Sequence, residues 1–167
     1  LQDELERFEA LLADLLEISR FDAGAAQLSL DPVDMVQVAT DEVNAQLAFA
    51  HRSGTDLTVI SEGPAVADAD VRRVRRILRN LITNAIEHSE GKPIEVFVAG
   101  DSKAVAIAVR DHGIGFESGQ AKQVFHRFWR ADPARNRTVG GTGLGLSIAM
   151  EDARLHGGWL NAWGRPG

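Results

Sequence analysis

Residues 93–110, PIEVFVAGDSKAVAIAVR, contain two runs in which every second side chain is aliphatic: Ile94, Val96 and Val98 on one side of the first, Val105, Ile107 and Val109 on one side of the second. A period of two is that of a half-buried strand, and Gly100-Asp101 supplies turn residues between the runs, so the segment predicts a β-hairpin. Helical patterns surround it. From Asp70 to His88, apolar residues recur at Val71, Val74, Leu78, Leu81, Ile82 and Ala85. That is the spacing of an amphipathic helix. DMVQVATDEVNAQLAFAHRSG predicts another, with Asp34 as N-cap and Gly54 as stop. QLSLDPV before it and DLTVIS at 56–61 after it read as short strands, and a helix at about 144–156 leads into GWLNAW, read as a last strand. From Gly24 onward the chain is therefore mixed α and β.

Residues 1–24 follow a different pattern. Leu1, Leu5, Phe8, Leu12 and Leu15 alternate steps of four and three, with Leu11, Leu16 and Ile18 widening the stripe. This is coiled-coil seam spacing, although a single amphipathic helix packed on its own domain has the same signature. No N-cap precedes Leu1, so the chain is expected to begin inside a longer helical element. With 167 residues, 44% of them hydrophobic, it can bury one domain core plus a small appendage. A net charge of −6 disfavours nucleic acid and anionic membrane as partners. The absence of cysteine excludes disulfides, Cys-ligated zinc and thiol catalysis, and suits the cytoplasm. The longest aliphatic run, 104–109, is too short to cross a bilayer, so any membrane attachment is expected through regions outside this chain.

Three polar features stand out. Asn80, Asn84, Glu87 and His88 fall in an arc of about 100° beside the apolar stripe of their helix. Asparagine is a poor helix former, and its carbonyl oxygen suits Mg²⁺; solvated asparagines or an i,i+4 side-chain bond would produce the same pattern. RDHGIGF follows directly on a strand, so Asp111 could accept a hydrogen bond from the exocyclic amine of a base while Gly113 and Gly115 clear room, or could simply begin a turn. Gly140, Gly141, Gly143 and Gly145 crowd the start of the last helix, where backbone amides form an anion site. They match neither the dinucleotide fingerprint nor the P-loop, and a flexible hinge is the plainer alternative. Between Phe116 and Gly140 lie some two dozen residues with room for a helical turn or two and with Phe125, Phe128 and Trp129 at i, i+3, i+4 spacing. Such a segment is a lid or a satellite core under a loop.

Taken in order, these features resemble the catalytic and ATP-binding domain of bacterial sensor histidine kinases, the Bergerat-type fold shared with gyrase, Hsp90 and MutL. NLITNAIEH looks like the N box, DHGIG the first glycine box, FHRFWR the F box and GTGLGL the second glycine box. LLADLLEISRFDAG resembles the second helix of the dimerisation and phosphoacceptor domain. The resemblance covers essentially the whole chain. It implies a two-layer α/β sandwich, with a mixed sheet covered by helices on one face, preceded by a coiled-coil-type helix. Residues 1–24 would be the end of the dimerisation hairpin and 25–167 the catalytic domain, with an ATP lid at about 117–140.

The resemblance also implies roles by position. Asn84 would bind Mg²⁺ bridging the phosphates of ATP, with Asn80 lining the same site. Asp111 would recognise the adenine amine, with Gly113 and Gly115 close to the base and His88 against the ribose or adenine. Gly141, Thr142, Gly143, Leu144 and Gly145 would cradle the phosphates through backbone amides and let the lid hinge. Phe128 would belong to the nucleotide-binding set, and Arg130 and Arg137 would reach the γ-phosphate, with Arg137 counted among the catalytic residues beside Asn80 and Asn84. Partners implied are the protein's own phosphoacceptor domain, in a homodimer of the full-length protein, and a response regulator whose aspartate receives the phosphoryl group. The full-length protein is implied to be a membrane-anchored sensor with this part in the cytoplasm.

Departures from the family pattern bear on the lid. Glu87 stands where many relatives have a phosphate-contacting lysine, His126 where glutamate is common, and His112 where asparagine is frequent. Asn80 occupies the position resembling the general-base glutamate of the ATPase branch, and an amide cannot take a proton from water at neutral pH. This favours kinase over hydrolase. Yet none of the histidines, at 51, 88, 112, 126 and 156, lies in a His-Glu-x-Arg-x-Pro context. The chain is therefore expected to be a fragment that binds ATP without completing autophosphorylation alone. The other readings are a degenerate nucleotide-gated interaction module and an ATPase without phosphotransfer.

Overall fold

The computed structural model describes residues 1–117, 119–130 and 141–166. Its elements, in chain order, are α1 (Gln2–Asp22), β1 (Asp31–Asp34), α2 (Met35–Arg52), β2 (Leu57–Glu62), β3 (Val66–Ala69), α3 (Val71–His88), β4 (Ile94–Gly100), β5 (Val105–Arg110), a 3₁₀ turn at Gln120–Lys122 and α4 (Gly145–Leu155). The fold is the expected mixed α/β arrangement with the N-terminal helix in place.

The alternation of apolar residues in β4 and β5 has its expected outcome. β4 pairs antiparallel with β5, Val96 opposite Val109 and Val98 opposite Ile107. On the other edge of β4, β2 runs parallel, Leu57 opposite Ile94 and Val59 opposite Val96. Parallel neighbours need a crossover, and α3 lies in the one between β2 and β4. One face of this sheet therefore carries Leu57, Val59, Ile94, Val96, Val98, Ile107 and Val109. These pack with Val38, Ala39 and Val43 of α2 and with Leu78, Ile82 and Ala85 of α3. Burying each large aliphatic contributes about 1.5–3 kcal/mol. The hairpin turn closes on Asp101, whose Oδ1 accepts from the amides of Lys103 and Ala104 at 2.7 and 2.9 Å.

The two helices that pack on the sheet, α2 and α3, start on an aspartate, as the sequence predicts for α2. Asp34 accepts from the amides of Val36 and Gln37, and Asp70 from those of Arg72 and Arg73. Asp70 is buried, also accepts from Ser29 N–H at 3.1 Å, and its own N–H donates to His156 Nε2 at 3.0 Å. His156 is the C-cap of α4, so the start of α3 and the end of α4 are tied together.

Two expectations are corrected. GWLNAW forms no strand: 158–166 run without secondary structure, and Trp159 and Trp163 are exposed. Alternation marks strand propensity, but a strand exists only by pairing, and no described strand pairs with this segment. Ile18, read from spacing as widening the coiled-coil stripe of α1, is instead buried against Leu144 and Ile148 with Leu11 and Phe21 beside it, as the alternative of a helix packed on its own domain has it. Leu1, Leu5, Phe8, Leu12, Leu15 and Leu16 remain exposed on α1. A strand not anticipated, β3, pairs with β1 as a separate two-stranded ribbon, Val33 opposite Ala67. Its VADA sequence has little strand propensity by itself.

Burial raises the Asp70 carboxyl, but the amides of Ser29, Arg73 and Arg72 and the Arg72 charge outweigh it and hold the group below its ordinary value. A carboxyl depressed in the folded state stabilises fully above its unfolded pKa and loses that contribution as pH falls through the folded value. Asp70→Ala is expected to cost about 1–2 kcal/mol at pH 7 in urea denaturation. The difference from the unmodified chain should shrink on moving to pH 3; a constant difference would mean that the carboxylate charge is not what stabilises the cap.

Candidate functional site

The C-terminal half of α3 is the floor of the site. The buried row Leu78, Ile82, Ala85 and Ile86 fixes the helix on the sheet, which leaves Asn80, Asn84, Glu87 and His88 beside that row. Asn80 faces the start of α4: a β-carbon on Gly145 would lie 3.0 Å from its Oδ1. Asn84 is half-buried, and among the described residues no group hydrogen-bonds its carboxamide. An amide oxygen left unspent inside a helix is available to a ligand or cation.

The DHGIG turn is pressed onto the end of this helix. The His88 carbonyl accepts from Ile114 N–H at 3.3 Å, and a β-carbon on Gly113 would sit 1.7 Å from that oxygen. Only glycine allows this approach. Asp111 is half-buried, and its Oδ1 accepts from Gly113 N–H at 2.9 Å, which sets the carboxylate beside the turn and leaves the second oxygen outside that bond. A β-carbon on Gly115 would overlap the Arg165 carbonyl, so the C-terminal tail runs across this glycine box. His112 points away from this contact, to Glu95 of β4 at 3.1 Å.

The F box and the second glycine box meet across the chain. Gly143 has φ +76°, and its carbonyl accepts from Phe128 N–H at 2.8 Å. Phe128 itself has φ +60°, a left-handed conformation uncommon outside glycine, with its ring exposed. The Arg130 guanidinium donates to the Gly141 carbonyl. Glu87 lies near the same place, 4.0 Å from where a Gly141 β-carbon would be. Desolvation raises the Glu87 carboxyl above its ordinary value, and the Arg130 charge works against that shift. Thr142 Oγ1 accepts from Leu144 N–H at 3.2 Å, and Leu144 is fully buried.

Asn80, Asn84, Glu87, His88, Asp111, Gly113 and Gly115 thus gather around the end of α3, and Phe128, Arg130, Gly141, Thr142, Gly143, Leu144 and Gly145 around the start of α4. Arg137, and the lid positions 131–140 generally, lie outside the described residues. Sequence reasoning missed the contribution of α1. Asp14 accepts from the Thr142 hydroxyl at 2.7 Å, and Glu17 accepts from Arg73 and Arg76, both of which also bind the fully buried Asp152. The signal was present in the placement of Leu11, Asp14 and Ile18 on one helix face, distinct from the leucine seam.

Residues 69–167 match the model of the histidine kinase-, DNA gyrase B- and HSP90-like ATPase family. The chain belongs to that family, and the relatives it resembles over nearly its whole length are sensor histidine kinases. It is 54% identical over 168 residues to the sensor histidine kinase MtrB of Mycolicibacterium paratuberculosis, a match covering 99% of this chain and 29% of MtrB. The chain thus spans less than a third of that relative. Among solved structures it is similar to full-length ShkA in complex with AMPPNP, at TM-score 0.79 and 26% identity over 93% of this chain and 33% of ShkA. It is also similar to the mycobacterial sensor histidine kinase MprB, at TM-score 0.64 and 26% identity over 77% of this chain and 81% of that one.

The glycine contacts separate packing from binding. Gly113→Ala is expected to lower stability by more than about 3 kcal/mol in urea denaturation, because the methyl group has nowhere to go. Gly141→Ala, whose nearest neighbour would be 4.0 Å away, should stay within about 1 kcal/mol of the unmodified chain. Equal effects would show that the turn does not seat on α3 as described.

Proposed function

We propose that this chain binds ATP and Mg²⁺ and, within its full-length protein, transfers the γ-phosphoryl group to a histidine on the dimerisation domain, from which a response-regulator aspartate receives it. The observation that carries this reading is the Asn84 carboxamide on α3, unengaged among the described residues, with the Asp111 turn seated on the end of the same helix. In this reading residues 1–24 close the dimerisation hairpin and 25–167 form the catalytic domain, a cytoplasmic part of a membrane-anchored sensor. Among the described residues no helix is long and apolar enough to cross a membrane.

The residues fit the nucleotide by the chemistry of their donors. Asp111 offers an acceptor for the exocyclic amine of adenine, and His88 an aromatic surface for the ribose or base. Gly113 and Gly115 let the turn that carries Asp111 close against the His88 and Arg165 carbonyls, which sets that acceptor in place. The amides of 141–143 and 145 lead into α4, whose N-terminus favours phosphate, while that of Leu144 is held by the Thr142 hydroxyl. Asn84 supplies an oxygen ligand of the kind that Mg²⁺ takes alongside water and phosphate, and Asn80 lies one turn away. When bound, the ion neutralises charge on the phosphates during transfer. Arg130 and Arg137 provide the cationic groups at the γ-phosphate, which Glu87 cannot. Phe128 holds the lid root through its bond to Gly143. With an amide at position 80 no general base is present there for water, so phosphoryl transfer to an imidazole is favoured over hydrolysis.

Labelled ATP supplied with the family's phosphoacceptor hairpin in trans should label the hairpin histidine. Asn84→Ala should lower Mg-ATP affinity by at least about tenfold, and Gly143→Ala by a similar factor, with thermal unfolding of Asn84→Ala little changed. Steady phosphate release with no acceptor would support an ATPase instead. Tight Mg-ATP binding with no labelling would support a nucleotide-gated interaction module.

A further inference from the structure

Both flanks of the 131–140 segment are tied to α1. On the C-terminal side, the Thr142 hydroxyl donates to Asp14 Oδ2 at 2.7 Å while accepting from Leu144 N–H at 3.2 Å. On the N-terminal side, the Arg127 guanidinium donates to both oxygens of Asp22 at 2.6 and 3.0 Å. Asp14 and Asp22 are eight residues apart on one helix, about 12 Å along its axis. Between them, Ile18 packs against the buried Leu144 and Ile148. Glu17, bonded to Arg73 and Arg76, fixes the helix to α3.

The geometry points to α1 as a strut of the nucleotide site, with Asp14, through the Thr142 hydroxyl, a positioning residue for the second glycine box. This rests on the nucleotide reading of that box. Gly141 and Gly143 give the loop wide conformational freedom, and a loop that must be ordered on binding loses affinity. The Asp14 carboxylate accepts the hydrogen bond of the Thr142 hydroxyl and so orients the oxygen lone pair toward Leu144 N–H, which fixes the turn before any ligand arrives. The exposed pair of Arg127 with Asp22 holds the opposite root on the same rigid element.

The test titrates a non-hydrolysable ATP analogue with Mg²⁺ into the full 167-residue chain by calorimetry, alongside hydrogen exchange of 141–145 without nucleotide. Asp14→Ala is expected to weaken binding about five- to tenfold and to speed exchange of that segment. Asp14→Asn, which keeps an acceptor, should recover most of the affinity. In a Thr142→Val background, Asp14→Ala should cause no further loss. Asp3→Ala, an exposed acid elsewhere on α1, should bind like the unmodified chain. Affinity unchanged or raised in Asp14→Ala, or a loss fully additive with Thr142→Val, would overturn the strut. Failure of the unmodified chain to bind the analogue would overturn the nucleotide reading along with it, and so is distinguishable from failure of the strut alone.

Discussion

Asp152 of α4 is completely buried and charged, and the placement of three helices follows from how that charge is met. Arg73 and Arg76, one helical step apart on α3, both reach it, at 2.8 and 2.7 Å, and both reach Glu17 of α1 as well. The two positive and two negative charges cancel, and losing any single member leaves an uncompensated charge. For Arg76, burial alone would lower the pKa, but the bonds to Asp152 and Glu17 raise it well above the usual arginine value. For Glu17, burial raises the carboxyl, but the two guanidinium groups outweigh it and leave it depressed. Breaking one partner of such a cluster strands the others, a far larger penalty than the net gain from forming it. The cluster therefore acts as a specificity device that admits one mutual arrangement of α1, α3 and α4. Phe21 adds a face for the Arg73 guanidinium at 5.7 Å, further confining it.

α3 carries this arrangement to the site. Its first turn is capped by Asp70, its middle holds the arginines, its apolar row lies on the sheet, and its last turn receives the Gly113 turn on the His88 carbonyl. One helix thus connects the core, the charge cluster and the asparagines of the proposed nucleotide site. The roots of the lid rest on the next layer out, where Gly143 bonds Phe128 and Leu144 sits in its own small core.

Much of this was legible in the residues. The period-two runs at 94–98 and 105–109 and the period of α3 specify which side chains face inward, and Asp34 announces a helix start because its carboxylate can satisfy free amides. The order of Asn84, Asp111 and Gly143 made the family readable where each motif alone was ambiguous. What stayed hidden depended on distant partners. β3 exists because β1 is beside it, GWLNAW lacks a partner strand, and Ile18 differs from its neighbouring leucines only in what α4 offers it. Asp14, Glu17 and Asp152 look like ordinary surface acids until α1 is set against α4.

The two faces of α1 remain. Leu1, Leu5, Phe8, Leu12 and Leu15 define a direction roughly 120° around the axis from that of Leu11, Asp14, Ile18 and Phe21, at 100° per residue. A helix does not twist easily within itself, so a torque applied at the leucines turns Asp14 and Asp22 through the same angle. With a side-chain tip about 5 Å from the axis, a turn of roughly 20° sweeps it by about 2 Å. That is enough to part a 2.7 Å hydrogen bond. Such a turn is what Glu17, held by Arg73 and Arg76, and Ile18, packed on Leu144 and Ile148, resist, so the open side of the helix and the glycine loop keep one fixed angular relation.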